Sequence, residues 1–374
     1  MTSAWSAHAV AAIADKPFAT MPLIDRAAVV SILPGIDLWD YWPVQEIDGR
    51  TAVIAGGTLH MLLSAPVLPD PDSRHALARL RLMHQTITGW RDLGPLLPDG
   101  FSPGSREWSG SAIVSPGHDR VTLYFTAAGY RGEAEVTFAQ RLFECSAPLL
   151  VAEGLPALGV WSEPVESVVA DGTVYTRDMA GGGAIGTIKA FRDPAWFRDP
   201  ADGAEYLVFA ASLAASTSPW NGAVGLARRE EGRWVLCPPP ITADGLNNEL
   251  ERPHIVHHGG HYYCFWSTQQ KVFGQPGPAG PNGLYGMVAQ AMTGPWSPIN
   301  ETGLVFANPP ESPIQAYSWQ VLHDLSVISF VDRPGLAPEL VEEPIDPAIA
   351  RRHFGGTPAQ PVQLALYGQS ARLA

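Results

Sequence analysis

The sequence predicts an all-β protein, and three observations carry that reading. Its 374 residues include 37 Gly and 35 Pro, so turn-forming residues recur at short intervals and interrupt any long helix. Between them lie short runs in which apolar and polar residues alternate, the period of a half-buried strand. No helical domain or linker divides the pattern. Barrels and propellers often exceed the usual domain length as one unit. A single domain is therefore expected over residues 35–374, preceded by an Ala-rich segment, residues 1–34, that wraps the outside of the core.

In chain order, Ala7 to Ala14 fits a short helix. Thr51 to Ile54 and Thr58 to Leu63 read as two strands around Gly56-Gly57, a hairpin signal. Ala78 to Leu82 alternates with Arg79 and Arg81. Ser111 to Val114 and Val121 to Phe125 flank the turn Pro116-Gly117-His118-Asp119, and Ala134 to Phe143 alternates again. Ile188 to Phe191 and Tyr206 to Ala210 follow. Val224 to Ala227 and Arg233 to Leu236 enclose Glu230-Glu231-Gly232, while Ile255-Val256 and Tyr262 to Trp266 pair across Gly259-Gly260. Leu284 to Ala289, Leu322 to Val331 and Val362 to Leu366 supply later strands, and Val331 to Glu343, rich in Pro and acids, is a loop.

Composition removes several functions. A formal net charge of −13 leaves no basic footprint for nucleic acid or an anionic membrane. No apolar run approaches the length of a membrane span. Met1 to Thr20 lacks the basic-then-apolar layout of a secretory signal, which predicts a cytoplasmic protein, export without a cleaved signal, or a chain already trimmed of its leader. Cys145, Cys237 and Cys264 have no metal spacing and give no reason to expect a disulfide. Twelve Trp favour a sugar site, whose flat faces aromatic rings can line, although Trp is also an ordinary core residue.

The chemistry centres on Asn248-Glu249-Leu250-Glu251-Arg252-Pro253-His254. In an extended segment Glu249 and Glu251 would face one cavity, with Arg252 directed away. Two like charges together force one carboxyl to keep its proton, as a general acid requires; a solvated acidic loop is the alternative. Asp40 sits among Trp39, Tyr41 and Trp42, where burial would leave it dependent on hydrogen bonds; a turn aspartate is the competing reading. Arg-Asp-Pro occurs twice. Arg192-Asp193-Pro194 follows a strand end, where site residues are presented, whereas Arg198-Asp199-Pro200 runs into Ala201-Asp202-Gly203 and reads as turn chemistry. Gly181 to Gly186 matches G-x-G-x-x-G, but no strand-then-helix context surrounds it, so a dinucleotide site is rejected. His254, His257, His258 and His261 lack metal spacing and read as solvent-facing hairpin residues.

Leu38 to Pro43, Phe191 to Pro194 and Glu249 to His254 together resemble the three signatures of the levansucrase family, glycoside hydrolase family 68. Arg106 to Gly110, Gly280 to Gly286, Asn308 to Glu311 and Tyr317-Ser318 resemble it too, so the likeness runs from about Trp39 to Leu366. It implies a five-bladed β-propeller with an axial active-site funnel that cleaves sucrose and transfers or hydrolyses the fructosyl unit, with no cofactor, metal or obligate protein partner. On its motifs Asp40 is the nucleophile, Glu251 the acid and then the base, and Asp193 the stabiliser of the developing charge. Ser109 would bond the nucleophile, and Trp39 and Trp108 would wall the fructosyl subsite, although plain core packing also accounts for Trp108. Arg192, Glu249, Arg252, Gln269 and Tyr317 join the substrate-binding residues. Gln269 stands where relatives often carry His or Arg, and this predicts hydrolysis with short fructo-oligosaccharides over long levan. Asn248 stands where some members place a calcium-binding Asp, and no calcium requirement is expected. Three other functions compete: a levan-polymerising levansucrase, a related propeller glycosidase acting on another fructoside or pentoside, and a carbohydrate-binding propeller without turnover. A serine hydrolase is disfavoured because G-x-S-x-G is absent.

Overall fold

The computed structural model describes residues 1–177, 188–341 and 344–374. Strand β1 (Ser3–Ala4) and helix α1 (Ala7–Ala11) open the chain, and five antiparallel sheets follow in order. The first contains β2 (Ile36–Gln45), β3 (Thr58–Pro66), β4 (Arg79–Thr86) and β5 (Gly89–Pro95). The second contains β6 (Arg106–Val114), β7 (Arg120–Ala128), β8 (Gln140–Ala152), β9 (Leu155–Leu158) and β10 (Val165–Val168). Then come β11 (Phe191–Arg198), β12 (Glu205–Ser212), β13 (Gly222–Glu230) and β14 (Arg233–Thr242). The fourth sheet holds β15 (Glu251–His258), β16 (His261–Thr268), β17 (Gly283–Ala289), β18 (Ser297–Pro298) and β19 (Leu304–Ala307). The fifth holds β20 (Ala316–Val321), β21 (Ser326–Val331), β22 (Thr357–Pro358), β23 (Val362–Tyr367) and β24 (Ser370–Leu373).

These sheets are the five blades of a β-propeller. The first strands β2, β6, β11, β15 and β20 neighbour one another around a common axis. The first two blades are joined by a short parallel contact, Val44 opposite Ala112 and Gln45 opposite Ile113. Local turn chemistry sets the tight hairpins. Glu231 and Gly232 (φ 48° and 79°) form the two-residue turn between β13 and β14, and Gly259 and Gly260 (57° and 78°) do so between β15 and β16. Positive φ at both positions matches the twist of the paired strands.

The N-terminal segment laces the blades together. Ser3 and Ala4 add a parallel strand beside β14. Trp5 is buried, donates from Nε1 to Thr302 O at 2.9 Å and packs edge-on against Trp266. Met21 N donates to Ala307 O, and Gln315 Nε2 donates to Pro22 O at 2.9 Å. Helix α2 (Pro347–His353) then ties the last blade to the first through a bidentate Arg351–Asp37 pair at 2.6 and 3.1 Å. No helix among the described residues is long and apolar enough to cross a membrane.

Several sequence expectations change here. Thr51 to Ile54 is not a strand: it makes single bridges to Gln45 and Gly57, and β3 pairs instead with β2, which contains the first motif. Ala134 to Ala139 precedes β8 and is not in it. Arg192 and Asp193 lie at the start of β11, not after a strand end. His254 is buried and accepts from Val321 N through Nε2 at 2.9 Å, so it belongs to the core between the fourth and fifth blades. All three cysteines are free. Gly181 to Gly186 lies outside the described residues.

Candidate active site

Each first strand is interrupted near its start by a β-bulge. Register shifts fall between Trp39 and Tyr41, Trp108 and Gly110, Arg192 and Ala195, Glu251 and His254, and Tyr317 and Gln320. In four of them a non-glycine residue takes positive φ: Asp40 (37°), Asp193 (63°), Arg252 (48°) and Ser318 (63°). A bulge breaks strict alternation and re-aims side chains. In β6 the same bend brings Gly110 so close to β7 that a Cβ there would lie 1.9 Å from Tyr124 O. Each left-handed residue costs roughly 1–3 kcal/mol, so the surrounding packing must hold them all.

The five bulges face one funnel of about 420 Å³, lined by Trp39, Asp40, Trp108, Ser109, Arg192, Asp193, Glu249, Glu251, Gln269 and Tyr317 among others. A second cavity, about 540 Å³, sits at the opposite end of the same strands and is lined by Gln45, Ala195, Asp199, His254, His257 and Gln320 among others. It is the larger, but the motifs converge on the first.

Hydrogen bonds link neighbouring bulges. Ser109 Oγ donates to Asp40 Oδ2 at 3.0 Å. Thr126 Oγ1 donates to Ser109 O at 3.1 Å and accepts from Asp193 N at 2.8 Å. Arg192 Nη2 meets Glu249 Oε2 at 3.1 Å and Glu251 Oε1 at 3.0 Å, with Nε 3.6 Å from Asp193 Oδ2. Tyr317 donates its hydroxyl to Glu251 Oε2, and Gln269 reaches the Tyr317 hydroxyl in turn.

The two glutamates have opposite electrostatic fates. Burial and the neighbouring Glu251 charge push Glu249 up to about 8, against the opposing pull of Arg192. Burial acts on Glu251 too, but the Arg192 charge, the Tyr317 hydroxyl and the bond to Glu249 outweigh it and hold Glu251 low. The pair therefore shares one proton at neutral pH, with burial and the Glu251 charge favouring its place on Glu249. Burial pushes Asp193 up to about 7, with Glu251 and Asp40 adding to the rise and Arg192 opposing it.

Arg252 also lines the funnel, but its guanidinium is committed to protein partners. Its guanidinium donates to Ser318 O and Oγ at 3.0 and 2.9 Å, and to Tyr41 O and Gln320 Oε1 at 2.9 Å. It is a strut across the neck of the channel, and its backbone N reaches Asp193 Oδ2 at 3.3 Å. Glu249 lies ahead of β15, so its convergence with Glu251 comes from shared contact with Arg192 and not from strand alternation. One funnel wall carries no motif that would have announced it. There Arg74 stacks over Trp39 at 5.3 Å and Phe354 at 4.5 Å, and Arg74 and Arg333 both pair with Asp72. Among the described residues no group of three or more His, Cys, Asp and Glu could hold a metal ion.

The profile of the Levansucrase/Invertase family matches residues 1–222 and 216–344, together spanning every blade start described above. The chain belongs to the levansucrase/invertase family. Among its relatives, the levansucrase of Zymomonas mobilis is 31% identical over 98% of this chain and 89% of its own length. That of Rahnella aquatilis is 28% identical over 95% of this chain and 89% of its own. In three dimensions an inulosucrase from Halalkalicoccus jeotgali, solved with kestose bound, superposes with a TM-score of 0.89 at 34% identity, covering 100% of this chain and 95% of that one. Gluconacetobacter diazotrophicus levansucrase, at 21% identity and a TM-score of 0.85, shares the fold over 100% of this chain and 90% of its own. The levansucrase/invertase fold is thus shared around the whole ring of blades.

Proposed function

We propose that this chain cleaves sucrose and passes the fructosyl unit to water or to an acceptor sugar through a covalent fructosyl-enzyme. The observation that carries this reading is the convergence of Asp40, Asp193 and Glu251, from three separate blades, on one funnel around Arg192. Ser109 holds Asp40 Oδ2, which leaves Oδ1 to attack the fructosyl anomeric carbon as the bond to the glucosyl oxygen breaks. Glu251 delivers the proton to that leaving oxygen. The proton is the one that Glu249 and Glu251 share, and a glucosyl oxygen bound beside the pair would receive it from Glu251 as Glu249 returns it. Asp193 stabilises the positive charge that develops in the ring. Glu251, now a carboxylate, takes a proton from water or an acceptor hydroxyl, whose oxygen attacks the anomeric carbon and releases Asp40.

A second reading of the acid follows from the shared proton, because burial raises Glu249 while Arg192 and Tyr317 hold Glu251 low. Glu249 could then be the direct donor.

Gln269 supports a product preference. Its neutral amide meets Tyr317 at the funnel and lacks the charge-assisted bonds a cationic side chain would offer an acceptor. Water then competes well at low sucrose, and concentrated sucrose gives short fructo-oligosaccharides. Incubation with sucrose, with free glucose and free fructose measured separately, tests the whole reading. Equal release means hydrolysis, and glucose in excess means transfer. Absence of both products, with release from another fructoside or a pentoside, would replace sucrose as the substrate.

A further inference from the structure

Just ahead of the carboxylate cluster lies a group the reaction does not use. Lys189 Nζ donates to Asn221 Oδ1 and Asn248 Oδ1, each at 2.9 Å, and to the carbonyl of Pro219. Neither amide is free to turn. Asn248 Nδ2 donates to Ile188 O and Asn221 Nδ2 to Leu213 O, both at 2.7 Å, so each presents its oxygen to the ammonium. Both asparagines are buried, at 0% and 6% exposure for Asn248 and Asn221. Oxygens gathered around a positive charge are the donor set a hard cation takes, and those of Pro219, Asn221 and Asn248 are among the partners of this one.

The position of this cage matters more than its composition. Lys189 lies three residues ahead of Arg192, and Asn248 lies three ahead of Glu251. Lys189 O accepts from Gln140 Nε2 at 2.7 Å, and Gln140 Oε1 accepts from Phe191 N at 3.1 Å and from Arg192 Nη1 at 3.4 Å. On the other side Asn248 N donates to Val272 O at 3.0 Å, and the adjacent Asn247 Oδ1 accepts from Glu249 N at 2.8 Å. The ammonium therefore joins a run held against the second blade through Gln140 to a run held within the fourth through Val272 and Asn247.

We propose that Lys189 is a positioning residue whose ammonium acts as a built-in cation. It sets the spacing between the run carrying Arg192 and Asp193 and the run carrying Glu249 and Glu251, as a bound metal ion would. The catalytic half of this inference rests on the sucrose reading; the clamp itself does not. Aligning the salt-bridged side chains across this gap matters because a displacement of about 1 Å can cost on the order of 100-fold in rate.

Two variants test it. Lys189→Met keeps the length of the side chain and removes its charge. It should fold, lose roughly 10-fold or more in kcat on sucrose and keep KM within about 2-fold. Lys189→Ala leaves a space that propylammonium fills. Its melting temperature should fall and then recover as propylammonium chloride is added, whereas sodium chloride at equal ionic strength or neutral propanol should give no recovery. Wild-type kcat and melting temperature in Lys189→Met would overturn the proposal. So would equal recovery of Lys189→Ala with propanol or sodium chloride. If the wild type fails on sucrose, the functional reading falls, and the melting comparison still decides the clamp.

Discussion

Strand β11 carries Arg-Asp-Pro at each end, and the two copies have become different things. Asp193 and Asp199 are equally buried, at 7% and 6% exposure, so burial does not separate them. Their neighbours do. Asp199 Oδ1 accepts from the Tyr262 hydroxyl at 2.6 Å and from Ala201 N at 2.8 Å, while its backbone closes the turn to Ala204. Neutral donors satisfy it, and it ties the third blade to the fourth. Asp193 sits on a bulge at φ 63°, among Arg192, Glu251 and Asp40, and burial among those charges raises it to about 7. A motif shared by both ends of one strand becomes a site only where the backbone is bent and the charges are left to one another.

The widest break in this comparison should come from exchanging the two aspartates' chemistry. Asp193→Asn should reduce kcat on sucrose by roughly 100-fold to 1000-fold with little change in melting temperature. Asp199→Ala should do the reverse, keeping kcat within about 2-fold while costing about 1–3 kcal/mol because the Tyr262 hydroxyl loses its partner. Kinetics and thermal melts on both variants check this, and the opposite pattern would show that the second Arg-Asp-Pro is the functional one.

Glu107 sharpens the contrast, being a buried carboxyl raised for structural reasons. Burial pushes it up to about 7 although Leu80 N donates to Oε2 at 2.7 Å. Folded Glu107 therefore holds a proton that the unfolded chain has already released above its ordinary value near 4.5. Its contribution to stability is fully present below that value and is lost as pH rises through about 7, with a slope of at most about 1.4 kcal/mol per pH unit. Glu107→Gln, measured by melts between pH 5 and pH 8, should flatten that decline. An unchanged slope would mean that Glu107 is ionised in the folded protein.

The smallest effect should fall on product length. Gln269→His should leave sucrose consumption within about 3-fold while moving products from concentrated sucrose towards longer chains by size-exclusion analysis. A dominant high-molecular-mass fructan from the wild type would contradict the role given to Gln269.

What could be read from sequence was local. The turns at Glu231-Gly232 and Gly259-Gly260 announce their hairpins because two adjacent residues must take positive φ there. The three carboxylates stood out through their motifs. What could not be read depended on distant partners. Thr51 to Ile54 alternates like a strand, but alternation does not say whether a partner strand lies alongside, and β3 pairs with β2 instead. His254 looks like its exposed neighbours in the sequence, yet Val321 N, far along the chain, makes it a core residue. Arg252 could not be recognised as a strut without knowing that β2 and β20 flank it. Lys189 was silent because Asn221 and Asn248 are remote in sequence and carry no pattern of their own.

The claim that Glu251 is the acid and Glu249 its proton store is tested most directly by comparing Glu251→Gln on two substrates. On sucrose the glucosyl oxygen needs a proton, and on fructosyl fluoride the leaving group does not. Glu251→Gln should lose roughly 100-fold to 10,000-fold in kcat on sucrose but keep most of its fructosyl fluoride cleavage. Glu249→Gln should retain measurable sucrose cleavage and lose the basic limb near pH 8. If Glu251→Gln cleaves sucrose freely while Glu249→Gln shows the selective loss, Glu249 is the acid and the assignment is wrong.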